Sequence, residues 1–125
     1  MAGERRAVLI VEDDLDLLGM VELVLESAGY PVMTPREGAE ALEKIAREMP
    51  AAVLLDMKMP GMDGWEFARL FRERYDRQAP IIVLTAAEDA RQRAEEIGAE
   101  GYVGKPFEID ELLAEVERLA SAPSP

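Results

Sequence analysis

At 125 residues the chain has the length of one domain, and with 49% hydrophobic residues it can build a core without staples. It contains no cysteine and no histidine, which excludes disulfides, thiolate or imidazole metal sites, imidazole acid–base catalysis and phosphohistidine. A net charge of −12, from 14 basic and 26 acidic side chains, disfavours direct binding to nucleic acid or an anionic membrane and favours cations and basic partner surfaces.

The N-terminal "MAGERRAVLIVEDD" carries two arginines, but its apolar run is too short for a signal peptide or a membrane span, so a cytoplasmic protein is expected. "AVLIV" (Ala7–Val11) reads as a buried strand. From Asp14 to Ala28 the apolar positions Leu17, Leu18, Val21, Val24 and Leu25 form a helical stripe, closed by Gly29. "YPVMT" is a short strand whose proline suits a sheet edge. Thr34-Pro35-Arg36-Glu37 then reads as a capping box, with Thr34 as cap, Pro35 in the first turn and Glu37 reaching back.

Pro50 ends that helix, and "AVLLD" (Ala52–Asp56) makes a third strand. Asp63-Gly64-Trp65-Glu66 caps a helix that runs to about Arg74. "PIIVLT" is a fourth strand, and Glu88 to Ile97 is a charged helix with a thin stripe of Ala90, Ala94 and Ile97. "GYVG" is a short fifth strand, and a last amphipathic helix runs from Glu108 to Ala120. Residues 1–120 are therefore read as one domain and 121–125, "SAPSP", as a tail or the start of a linker.

Strands alternating with helices imply a parallel sheet covered on both faces. Right-handed crossovers then give a doubly wound α/β sandwich, with strand order 2-1-3-4-5 once the second strand lies at the edge. In such sheets sites gather at the C-terminal ends of the strands. Those ends carry Glu12-Asp13-Asp14, Asp56, Thr85-Ala86 and Lys105-Pro106.

Several carboxylates in one cleft need a compensating cation. All-oxygen ligation without His or Cys points to a hard ion such as Mg²⁺. Helix capping accounts for Asp14, but not for a further carboxylate that terminates the neighbouring strand. A cation, the Thr85 hydroxyl and the Lys105 ammonium around Asp56 would stabilise three oxygens of a transferring phosphoryl group, with Asp56 as nucleophile. Met57, Met59 and Met62 read as loop packing, and Trp65 as a cover for the adjacent helix.

In order along nearly the whole chain, "VLIVEDD", "VLLDMKMPGMDG", "IIVLTA" and "GYVGKPF" resemble the receiver domain of two-component response regulators. The resemblance implies a flavodoxin-like (βα)5 fold. It also implies phosphorylation of Asp56 by a histidine kinase or phosphotransfer protein, and Mg²⁺ held by Asp13, Asp56 and the Lys58 backbone carbonyl, with Glu12 acting through water. Thr85 and Tyr102 would form the switch pair, Lys105 would meet the phosphoryl group, and the Lys105–Pro106 bond would be cis. On this reading the chain is no enzyme beyond its own phosphorylation and dephosphorylation at Asp56. Its output partner or effector domain is open, as is a phosphorylation-dependent dimer.

Two departures stand out. The Thr85–Tyr102 spacing is shorter than the family's usual one, which places a shortening in the fourth helix or the loop before it. Lys58 and Ala87 offer no carboxylate or amide to position an attacking water, which implies slow loss of the phosphoryl group. A phosphohydrolase of the haloacid dehalogenase type is disfavoured, since its second acid would fall at Lys58 and there is no cap domain. A scaffold that is never phosphorylated is the other alternative, although the acids, Thr85 and Lys105 are all present.

Overall fold

The computed structural model describes residues 6–59 and 61–120. The 121–125 tail, the N-terminal residues 1–5 and Pro60 of the acceptor loop lie outside the described residues. The chain alternates strand and helix: β1 (Val8–Val11), α1 (Leu15–Ser27), β2 (Val32–Met33), α2 (Gly38–Arg47), β3 (Ala52–Asp56), α3 (Gly64–Tyr75), β4 (Ile81–Ala86), α4 (Ala87–Ile97), β5 (Gly101–Lys105) and α5 (Ile109–Ala120). All pairings are parallel, and the strand order is β2-β1-β3-β4-β5. Both expectations hold. β1 and β3 are buried along their whole length, as strands covered on both faces must be. Among the described residues no helix is long and apolar enough to cross a membrane.

Alternation along the strands sorts the core into two layers. Val8, Ile10, Ala52, Leu54, Ile82, Leu84 and Val103 pack against α1 and α5 through Val21, Leu25, Leu112 and Val116. Leu9, Val11, Val53, Leu55, Ile81 and Val83 pack against α2, α3 and α4, with Phe67 and Phe71 stacked at 6.2 Å at the centre. Carried to the strand ends, the alternation puts Asp56, with Ala52 and Leu54, on the α1/α5 side. Thr85 and Tyr102, each one residue out of step with that layer, belong to the α3/α4 side.

Helix ends follow their local signals in most places. Asp14 caps α1 by accepting from the N–H groups of Asp16 and Leu17 at 3.1 and 3.2 Å. Asp63 caps α3 through Glu66 N–H at 2.9 Å. Gly98 closes α4 in the left-handed region at φ 65°, where a Cβ would be strained. α4 begins one residue earlier than its sequence pattern suggests, directly after β4.

The start of α2 differs from expectation. Thr34 does not cap it; the helix begins at Gly38 after Glu37, which is extended and makes no side-chain cap bond. The reach-back occurs three residues later, where Glu40 accepts Arg36 N–H at 2.6 Å. Packing sets this boundary. Gly38 lies so close to the acceptor loop that a Cβ there would sit 2.8 Å from the Met62 sulfur. The helix therefore starts where it can meet Met62, not where Thr34 could cap it.

Candidate functional site

β1 and β3 are neighbours in register, Val11 opposite Leu55, so the residues that follow on each strand, Glu12 and Asp56, end side by side. Both are buried, at 4% and 5% exposure. Each Glu12 oxygen has a partner: one accepts Asp14 N–H at 3.0 Å and the other accepts Lys105 Nζ at 3.1 Å. Asp56 Oδ1 accepts Lys58 N–H at 3.1 Å and lies 3.9 Å from Lys105 Nζ. Lys105 thus arrives from the end of β5 and bridges the two carboxylates. The direct Glu12–Lys105 pair was not anticipated from the sequence, where 93 residues separate the partners.

Asp13 is exposed above the pair, and carboxylate oxygens of Glu12, Asp13 and Asp56 all lie within 4.8 Å of one another. The fourth acid, Asp14, is spent on the helix cap. Burial pushes the Asp56 carboxyl up to about 7; the Lys58 N–H bond pulls it down, the Glu12 charge raises it further, and Lys105 offsets only part of this. A carboxyl held half-protonated near neutrality is one that a nearby cation would ionise.

The residues fit a hard divalent metal ion. The donor set is oxygen only. Glu12 already accepts one bond on each carboxylate oxygen, from Asp14 N–H and from Lys105, whereas Asp13 is exposed.

The loop after Asp56 is folded tightly back onto the strand. Met57 is buried and its carbonyl accepts Gly64 N–H at 3.2 Å. A Cβ on Gly64 would sit 2.6 Å from the Met57 sulfur and 2.7 Å from its Cα, so the loop closes only over a bare glycine. Met59 and Met62 pack against the α2–α4 core layer, which bears out their reading as packing residues.

Thr85 is 4% exposed at the end of β4, where Leu84 is the register partner of Asp56 and Gly104 that of Thr85. Tyr102 is 45% exposed. The Lys105–Pro106 bond is cis. Trp65 covers α4 as expected: its indole N–H donates to Glu96 at 2.9 Å and Arg93 lies 5.5 Å over the ring. Two residues of this neighbourhood went unread in the sequence, Glu96 and Gly104. For Gly104 a signal existed, since an isolated glycine inside a strand marks close approach of another backbone.

The sequence matches the response regulator receiver domain family over residues 8–117. It is 41% identical over 115 residues to the transcriptional regulatory protein YkoG of Bacillus subtilis, covering 90% of this chain and 50% of that protein. The chain therefore spans about half the length of this relative. Among solved structures, a putative response regulator from Chloroflexus aurantiacus superposes with a TM-score of 0.88 at 36% identity, covering 95% of this chain and 100% of the other. The receiver domain of a Pseudomonas aeruginosa sensor histidine kinase, solved with a magnesium ion coordinated in its active site cleft, gives 0.85 at 31% identity, covering 95% and 100%.

Proposed function

The chain belongs to the response regulator receiver domain family, and on that premise we propose that it is a phosphorylation-controlled switch with Asp56 as its acceptor. The observation that carries this reading is the placement of Asp56. It is a buried carboxyl at a strand end, with an ammonium 3.9 Å from one oxygen and two further acids beside it.

An Asp56 oxygen attacks the phosphorus of a phosphohistidine on a kinase or phosphotransfer protein. The O–P bond forms, the P–N bond breaks, and the imidazole nitrogen keeps the electron pair. Asp13, Asp56 and the Lys58 backbone carbonyl would hold Mg²⁺, which when bound would supply positive charge against the phosphoryl oxygens. Lys105 trades its bond to Glu12 for one to a phosphoryl oxygen, and the Thr85 hydroxyl donates to another. Tyr102 turns inward behind Thr85 and alters the face offered to an output partner. The chemistry acts on the protein itself, not on a released substrate, and the setting is the cytoplasm.

The test is intact mass after incubation with acetyl phosphate, with and without Mg²⁺, on the wild type and Asp56→Ala. One Mg²⁺-dependent phosphoryl adduct, absent from the variant, is expected. An adduct that survives in Asp56→Ala, or none under any condition with either acetyl phosphate or beryllofluoride, would overturn the assignment.

A further inference from the structure

The helices on one side of the sheet carry charges of both signs, with Lys44 and Arg47 on α2, Arg69, Arg72 and Arg74 on α3, and Arg91 and Arg93 on α4. The α1/α5 side is close to uniformly acidic. α1 has Asp16, Glu22 and Glu26 and no basic residue. α5 has Asp110, Glu111, Glu115 and Glu117 against Arg118 alone. That arginine is taken up by Glu115 at 2.8 Å and by the Glu100 carbonyl at 3.4 Å, in a separate cleft against α4 and β5.

An apolar groove of about 320 Å³ lies between these two helices. Leu23, Val24, Ser27 and Ala28 line it from the end of α1, and Ile109 and Leu113 from the start of α5. Met20, Leu23, Val24 and Ser27 follow the i, i+3, i+4, i+7 spacing of one helix face. Six large hydrophobic side chains are exposed among the described residues, and three of them, Met20, Leu23 and Ile109, belong to this face. Such a concentration marks a surface that something covers.

Three kinds of occupant can be compared. Ser27 has the only polar side chain in the lining, so the groove lacks the convergent polar groups that orient a small ligand. A second copy of this chain would set acid against acid, in a molecule whose net charge is already −12. An amphipathic helix would cover the apolar strip, and basic residues beside its anchors would meet acids on both walls.

We propose that the α1/α5 groove is a docking surface for a basic amphipathic helix of a protein partner. Leu23 and Ile109 are its apolar anchors. Asp16, Glu26, Asp110 and Glu117, all exposed and each within one helical turn of Met20 or a lining residue, are its charged rim. The surface is separate from the acidic site: Leu23 lies nine residues beyond the cap Asp14, roughly 14 Å along α1.

The probe is a synthetic helix about five turns long, with leucine at the same spacing and lysine elsewhere. The control peptide has glutamate in place of lysine. Titration calorimetry on the metal-free protein gives stoichiometry and affinity, and amide chemical shifts of the ¹⁵N-labelled protein locate the contact. Wild type, Leu23→Asp and Ile109→Asp are compared, each checked for folding by far-UV circular dichroism.

The lysine peptide should bind the wild type one to one, weaken as salt is added and shift amides of α1 and α5. The glutamate peptide should not bind. Leu23→Asp discriminates between mechanisms, because it adds an acid. A surface that merely attracts charge would then hold the lysine peptide more tightly, whereas a groove that needs its anchor should lose affinity about tenfold or more. Ile109→Asp should behave alike, and it carries the comparison if Leu23→Asp does not fold.

Equal or tighter binding by the folded variants, shifts confined to other faces, or no complex with the lysine peptide overturns the proposal. So does a dimer of the peptide-free protein in sedimentation that Leu23→Asp dissolves, since a second copy would then be the occupant. None of these readouts involves Asp56, so the acceptor assignment stands or falls separately.

Discussion

Replacing Asp56 by asparagine removes a charge from a pocket where charge is poorly tolerated, and the size of the effect follows from the site. Burial and the adjacent Glu12 lift the Asp56 carboxyl from 3.8 to about 7. At about 1.4 kcal/mol per pH unit, the folded protein disfavours the ionised form by about 4 kcal/mol relative to the unfolded chain. Between these two values the folded state keeps a proton that the unfolded state has lost. The wild type therefore loses stability as pH rises from about 4 to about 7, and the loss is complete above that range. Asp56→Asn has no such term.

In metal-free buffer the variant's advantage over the wild type should widen across this window, by up to about 4 kcal/mol, and then level off. Saturating Mg²⁺ should raise the wild type and leave the variant almost unmoved, since only the wild type offers the ion this carboxylate. Urea unfolding followed by circular dichroism at a series of pH values from about 5 to about 8, with chelator or with Mg²⁺, measures all of this. Parallel pH curves for the two proteins, or a variant less stable than the wild type above about pH 7 without metal, would refute the crowded-pocket argument.

Lys105→Met should raise the Asp56 carboxyl further, because the ammonium 3.9 Å away is one of the groups that lower it. It should cut adduct formation by mass while the fold survives, and an unchanged rate of labelling would count against Lys105 as a phosphoryl partner. With Lys58 and Ala87 offering no group to orient water, the isolated phosphorylated domain should keep its label for minutes or longer; loss within seconds, read by mass or by released phosphate, would contradict this. Glu100→Ala should cost about 2–3 kcal/mol in urea unfolding without affecting labelling. That carboxylate binds Arg72 at 3.2 Å, Arg77 at 2.6 Å and Ile81 N–H at 2.8 Å, far from the acidic site.

Much of the site was legible because its chemistry sits where strands end, and strand ends are marked by the change from buried apolar residues to polar ones. Glu12, Asp13, Asp56, Thr85 and Lys105 could each be placed that way once the parallel order was argued from the βα alternation. Asp14 and Asp63 as caps, and Gly98 as a stop, were equally readable, since each acts within a few residues of its own position.

The capping box at Thr34 was locally sound and still lost to packing. Contact with Met62 fixed where α2 begins, and no local signal carries that information. By itself the sequence determined the order of elements, the parallel sheet and the inventory of groups at its C-terminal edge, because periodicity, caps and turns are short-range preferences. Three things were left to the tertiary structure: the Glu12–Lys105 pair, the elevated proton affinity of Asp56, and the close approach of Ala87 to Gly104. Each depends on how strands distant in sequence align and how deeply their ends are buried, and such distances exist only once the sheet has closed.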